Sequence, residues 1–209
     1  MPRVGLGKRT RLPTLKVLDR SYTPFSYFRT FWPIRDFNLK QSGDYFELTN
    51  GTTSMKLKRF HATAFVGEWP AWKRYYLPKV GIRGKTVLDI GAGCGETAYF
   101  FLKNGARSVE CVEADEEAGS LLLENIRRNG WNANPHLERF SISHLSLKHD
   151  FVKIDCEGGE SLLLDGSVAR LEPCRVEMHK SVIGETAVRQ LIEKFSLKCI
   201  NGSDLWGLG

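Results

Sequence analysis

The chain has 209 residues, 42% of them hydrophobic and 26% charged, enough for one core domain with an extension; a domain of about 150 residues buries roughly 68–70% of its unfolded surface. No apolar run approaches the about 18 residues that span a bilayer, the amino terminus has no apolar leader core, and the five cysteines form no C-x-x-C pair. A membrane span, a disulfide scaffold and a zinc ribbon are therefore not expected, and a cytoplasmic protein is.

The net charge of +6 is concentrated at one end, because residues 1–40 hold nine Lys or Arg against two Asp. Interleaved with them are Tyr22, Phe25, Tyr27, Phe28, Phe31, Trp32 and Phe37. Such a segment either tracks a phosphate backbone and stacks on bases, making RNA a candidate partner of residues 1–40, or covers the sheet while Arg3 to Arg11 stay solvated. Pro24 and Pro33 interrupt it as an irregular or briefly helical arm. Asp44 to Leu57 alternates apolar and polar residues about Asn50-Gly51, which predicts a hairpin. Residues 1–60 are thus read as arm and hairpin, ahead of a main domain over 61–209. A helix is predicted after Pro70, through Trp72, Tyr75 and Tyr76. Strands follow at 86–90, 108–113, 139–142, 150–155 and 174–179, alternating with helices at 96–104, 115–129, 160–171 and 185–194, and strands at 197–200 and 205–208 close the chain. Between 142 and 150 there is too little chain for a crossover helix. Strands alternating with helices predict an α/β fold with a mostly parallel, doubly wound sheet of seven strands.

The run from Thr86 to Thr97 carries the chemistry. Val87, Leu88 and Ile90 form a buried strand, and Gly91, Gly93 and Gly95 then let a ligand lie against bare backbone before a helix starts near Glu96. The dinucleotide pattern G-x-G-x-x-G fails, because Glu96 stands at its third glycine. A pyrophosphate there would meet Asp89 and Glu96, whereas a cation bearing a nucleoside would be attracted. Asp89 either touches that ligand or hydrogen-bonds the loop's own amides. Glu113 ends the next strand, where a carboxylate takes both hydroxyls of a ribose. With Ala92, Ala114 and Ser141 of the 139–142 strand, these residues make the candidate binding set.

On the D-x-G-x-G-x-G loop from Asp89 to Gly95 and the acid at Glu113, the chain resembles the class I S-adenosylmethionine-dependent methyltransferases. Lys153-Ile-Asp-Cys-Glu-Gly-Gly-Glu160 and Arg175-Val-Glu-Met-His179 are similar to the fourth and fifth strands of the FkbM-type members. The resemblance implies a Rossmann-like fold and S-adenosylmethionine as cofactor. It also implies Asp155 beside the methionine part, Glu157 toward the acceptor, and His179 as the base that takes a hydroxyl proton. Asp155, Glu157, Glu177 and His179 could also hold a divalent metal, but the set works without one, and none is expected.

The expected reaction is O-methylation of a small-molecule or glycan hydroxyl. Asp155-Cys-Glu-Gly158 stands where base-directed amino methyltransferases carry N/D-P-P-Y/F, which disfavours exocyclic amines. RNA methylation is the second reading, supported by the basic arm and by Glu124-Asn-Ile-Arg-Arg-Asn129, which is similar to a helix of tRNA guanine methyltransferases. A non-catalytic cofactor-binding partner subunit is the third.

Overall fold

The computed structural model describes residues 15–17, 20–22, 36–171, 173–201 and 205–208. Most of the basic arm, including Pro24 and Pro33, lies outside them. The strands are β1 (Leu15–Val17), β2 (Arg20–Tyr22), β3 (Asn38–Ser42), β4 (Tyr45–Thr49), β5 (Ser54–Lys58), β6 (Thr86–Ile90), β7 (Ser108–Val112), β8 (Ala133–His136), β9 (Phe151–Ile154), β10 (Cys174–Glu177), β11 (Lys198–Asn201) and β12 (Leu205–Leu208). The helices are α1 (Arg59–Tyr76), α2 (Glu96–Lys103), α3 (Glu116–Asn129) and α4 (Lys180–Phe195). Seven strands form one sheet in the order β11-β12-β10-β9-β6-β7-β8, in which β12 runs antiparallel to both its neighbours. The expected α/β architecture is therefore present. No described helix is long and apolar enough to cross a membrane.

Parallel strands covered on both faces should be apolar throughout, and every residue of β6 and β9 is buried. Alternate residues feed two clusters: Val87, Phe101, Phe151 and Trp72 on one face, Leu88, Ile90, Val152, Val176 and Leu191 on the other. The first cluster continues into Phe46, Leu48, Met55 and Leu57 of the antiparallel sheet β3-β4-β5, so the boundary near residue 60 crosses continuous core. The hairpin falls where Asn50-Gly51 places it, with Thr49 paired to Ser54. Its loop closes through the Asn50 side chain, which accepts from the amides of Thr52 and Thr53 at 3.0 and 2.8 Å.

Four element boundaries differ from expectation, each for a local reason. The third core strand is Ala133–His136, not 139–142. It contains Pro135, which is tolerated because β8 is the sheet edge. Residues 142–146 form a 3₁₀ turn instead. The helix expected at 160–171 shrinks to a 3₁₀ turn, Gly159–Leu164, because Asp165 turns the chain by accepting from the Ser167 amide at 2.8 Å. Helix α1 begins eleven residues before Pro70 and runs through it. Its face of Ala62, Phe65, Val66, Trp72 and Tyr76 buries enough surface to offset the about 3 kcal/mol that an interior proline costs. Helix α4 extends back to Lys180 across a break at Gly184, whose φ is 82°.

One side chain joins the small sheet to the large one. Asn125 on α3 is fully buried; its Oδ1 accepts from the Lys56 amide at 2.8 Å, and its Nδ2 donates to the Lys56 carbonyl at 2.9 Å and the Cys94 carbonyl at 2.8 Å. Replacing Asn125 by Ala strands three backbone groups and should cost on the order of 3 kcal/mol, read as a fall in the midpoint of urea unfolding.

Candidate active site

A cavity of about 520 Å³ opens beyond the carboxyl ends of β6, β7, β9 and β10, where a doubly wound sheet holds its ligands. Its floor is the glycine loop. Gly91 has φ 75°, and a Cβ on it would lie 1.7 Å from the Asp155 carbonyl oxygen; one on Gly93 would lie 2.7 Å from the His61 ring and 2.8 Å from Glu96 Oε1. Only glycine fits at either place. Glu113 fastens the loop, its Oε2 accepting from the Gly93 amide at 2.8 Å and its Oε1 from the Asp115 amide at 2.7 Å.

Gly91, Gly93, Glu96, Glu113, Ala114, Asp155, Glu157 and His179 all line this cavity. Asp89, Ala92 and Ser141 do not. Asp89 is fully buried beneath the loop, its Oδ2 accepting from the Thr97 hydroxyl at 2.6 Å, which places it with the loop rather than with a ligand. Ala92 is 1% exposed. Ser141 precedes the 3₁₀ turn, where its hydroxyl pairs with Ser143 and His144, and that segment instead lends Glu138 and Phe140 to the wall.

Several wall residues had no signal in the sequence. Helix α1 and the residues before it contribute Lys58, Phe60, His61, Glu68, Trp72 and Tyr76. Lys153 did carry one, being a charge inside an apolar strand. It is 1% exposed, with Nζ 3.2 Å from Asp89 Oδ1, 3.6 Å from Asp155 Oδ2 and donating to the Gly91 carbonyl at 2.7 Å. The contact with Asp89 Oδ1 is an ion pair not aligned as a hydrogen bond. Burial works against the Lys153 charge, but Asp89 and Asp155 outweigh it and hold the ammonium well above its usual range.

The opposite end of the cavity is acidic. Burial raises the Glu68 carboxyl, to which Trp72 donates at 3.3 Å. Burial, followed by the charge of Asp155, pushes Glu177 up to about 7. Asp155, Glu177 and His179 converge, with one ligand atom of each within 4.8 Å of the others. Glu160, fully buried and absent from the sequence-derived set, anchors His179: its Oε1 accepts from the His179 amide at 2.6 Å and pairs with Nδ1 at 3.1 Å, while its Oε2 accepts from the Gly158 amide at 2.8 Å. Nε2 of His179 faces Asp155 at 3.6 Å and Glu157 at 3.4 Å. The Glu160 hydrogen bond above all raises His179 to about 9. That shift favours the cationic ring at neutral pH, the opposite of what a resting base needs.

No family model matches the chain. It is 37% identical over 89 residues to the electron transfer flavoprotein beta subunit lysine methyltransferase of Rattus norvegicus, covering 40% of this chain and 34% of that one. It is 30% identical over 143 residues to the ribosomal protein L11 methyltransferase of Thermotoga petrophila, covering 59% and 53%. The chain thus spans about a third to a half of the length of these curated relatives. Among solved structures, a ribosomal protein L11 methylase from Lactobacillus delbrueckii subsp. bulgaricus aligns at 20% identity and TM-score 0.43, covering 61% of this chain and 69% of that one. Both curated relatives are named for protein substrates. They lend no support to the FkbM-type assignment or to a small-molecule or glycan hydroxyl as acceptor.

Because His179 is raised from 6.5 to about 9 in the folded chain, its pairing stabilises the fold fully below pH about 6.5, and that contribution fades as pH rises through about 9. Titration of the His179 ring by NMR should give a midpoint near 9, and Glu160→Gln should return it toward 6.5.

Proposed function

We propose that this chain is a class I S-adenosylmethionine-dependent methyltransferase that methylates a primary amine on a protein, the ε-amino group of a lysine. The observation that carries this reading is the acidic end of the cavity. Glu68, Asp155, Glu157 and Glu177 meet there, opposed only by Lys153 and His179 among the described wall residues at that end. Lys153 is already matched by the buried Asp89. A surplus of carboxylates attracts an ammonium, offers nothing particular to a neutral hydroxyl, and repels a phosphate backbone. The two curated relatives, named for a lysine of one protein and for a ribosomal protein, agree with this acceptor class.

The cavity suits the cofactor. Gly91 and Gly93 line it, Glu113 keeps lone pairs beyond its two amide bonds for ribose hydroxyls, and the buried Glu96 Oε2 has no hydrogen-bond partner among the described residues, as an oxygen awaiting a donor would. S-adenosylmethionine supplies an already activated methyl group. What remains for the chain is to align the amine, an effect worth up to about 7–11 kcal/mol, and to remove its proton, worth about 10²–10⁴-fold in rate.

A protonated lysine cannot attack, so a group must accept its proton near neutral pH. Glu177, at about 7, is matched to that task. Asp155 follows the last residue of the neighbouring strand β9, with its Oδ2 3.6 Å from Lys153 Nζ. His179, cationic and clamped by Glu160, positions Asp155 and Glu157. The base role expected of His179 therefore passes to Glu177.

Incubating the full chain with methyl-labelled cofactor and separated protein, RNA and metabolite fractions of cell extract should label protein, with the mark on lysine by mass spectrometry. Label confined to RNA or metabolites would overturn the reading. Glu177→Gln should lower kcat by about 10²–10⁴-fold with cofactor affinity nearly unchanged. The rate of the parent chain should climb with pH through about 7, as Glu177 loses its proton. Glu113→Ala should weaken cofactor binding first, as measured by calorimetry.

A further inference from the structure

We infer that the wall of the cofactor cavity holds an unassigned site for a thiophilic divalent cation of the Zn²⁺ type, formed by His61 and Glu96, which line the cavity, and by Cys94 buried behind them. The three residues come from α1, the glycine loop and the first residue of α2, and one ligand atom of each lies within 4.8 Å of the others. Cys94 is fully buried, Glu96 is 5% exposed, and the His61 side chain is 18% exposed. An independent observation points to a missing ligand. Glu96 Oε1 pairs with His61 Nδ1 at 2.6 Å, but Glu96 Oε2 is buried with no hydrogen-bond partner among the described residues. An orphaned carboxylate oxygen out of water is costly, and a cation beside it removes that cost.

The surroundings hold the three residues in place. Gly93 leaves no room for a side chain beside His61 and Glu96, and Asn125 pins the Cys94 carbonyl at 2.8 Å. Lys58, whose positive charge reaches both His61 and Cys94, is spent on Asp115 at 2.9 Å and Glu117 at 3.0 Å. Glu113 adds negative charge nearby. A thiolate, an imidazole and a carboxylate with a fourth position open to a cavity form a donor set for Zn²⁺ rather than for Mg²⁺ or Ca²⁺, which take oxygen ligands. The second convergent set, Asp155, Glu177 and His179, includes no cysteine and no buried side-chain oxygen left without a partner among the described residues, and the Lys153 ammonium faces Asp155.

Binding replaces the Cys94 S–H bond by a metal–sulfur bond and releases that proton to solvent, with no change of oxidation state. Glu96 lines the same cavity as the glycine loop, so cation and cofactor compete for its Oε2. That competition rests on the cofactor placement proposed above; the metal binding itself does not.

The test titrates the full chain with Co²⁺ and reads the near-ultraviolet thiolate-to-metal absorption, with Zn²⁺ added to displace it. One equivalent should bind. Cys94→Ser should abolish the band and weaken Zn²⁺ binding more than about tenfold, while Cys199→Ser leaves both intact. His61→Ala and Glu96→Gln should weaken binding by a similar factor, with thermal melts confirming that each variant folds. Added S-adenosylhomocysteine should lower the apparent affinity for the cation. No stoichiometric thiolate band, or a band that survives Cys94→Ser, overturns the site. A band indifferent to S-adenosylhomocysteine overturns the shared use of Glu96. None of these readouts depends on methyl transfer, so the labelling experiment stands or falls separately.

Discussion

The arrangement of the cavity depends on a charge buried in the middle of the sheet. Asp89 and Lys153 are register partners on adjacent strands, 0% and 1% exposed, with Nζ 3.2 Å from Oδ1. Desolvation makes such a pair a poor source of stability, and replacing both partners by apolar residues is often neutral or better in proteins generally. What the pair supplies is position. Through Lys153 Nζ it holds the Gly91 carbonyl at 2.7 Å, and through Asp89 Oδ2 it holds Thr97 at the start of α2. The glycine loop is therefore fixed from below, which leaves its upper surface free for a ligand. Lys153 also reaches Asp155 at 3.6 Å, so the pair bears on the charge of the cavity wall as well as on the loop.

The fold was largely legible in the sequence, because a parallel sheet writes itself as short apolar runs broken by glycine. Thr86 to Ile90 and Phe151 to Ile154 fell where expected, as did α3, announced by Asp115, which caps it by accepting from the Ala118 amide at 2.7 Å. Two of the failures come from tertiary placement outweighing a local rule: Ala133–His136 is a sheet-edge strand that tolerates Pro135, and Pro70 reads as a helix boundary until the aromatic face of α1 is packed. The shortened 160–171 helix instead follows a local turn at Asp165.

The site was legible only where its residues cluster in sequence. Gly91, Gly93, Glu96, Glu113, Asp155, Glu157 and His179 all sit at strand ends or in the loop, and topology alone brings strand ends of a parallel sheet to one edge. Glu68 and His61 carry no such mark. They lie on a helix outside the repeating strand–helix pattern, and only the packing of Phe65 and Trp72 against the first core cluster turns them toward the cavity. Glu160 belongs to a recognisable run, but its part in clamping His179 depends on two elements nineteen residues apart. Proton affinities were the least legible, since the same histidine that reads as a base becomes a fixed cation once three carboxylates surround it.

The overall charge misleads about the acceptor for a related reason. A net +6 and an arm with nine basic residues suggest an anionic partner. Electrostatic interactions in salt fade beyond about 8 Å, however, so an acceptor group entering the cavity responds to Glu68, Asp155, Glu157 and Glu177, not to the chain's total. Composition describes the surface that meets a partner first, and the local lining decides which functional group is held at the methyl donor. A basic sequence segment and an acidic cavity are compatible, and under the proposed lysine acceptor they separate two choices: residues 1–40 bear on which macromolecule approaches, and the carboxylates of the cavity bear on which functional group is held.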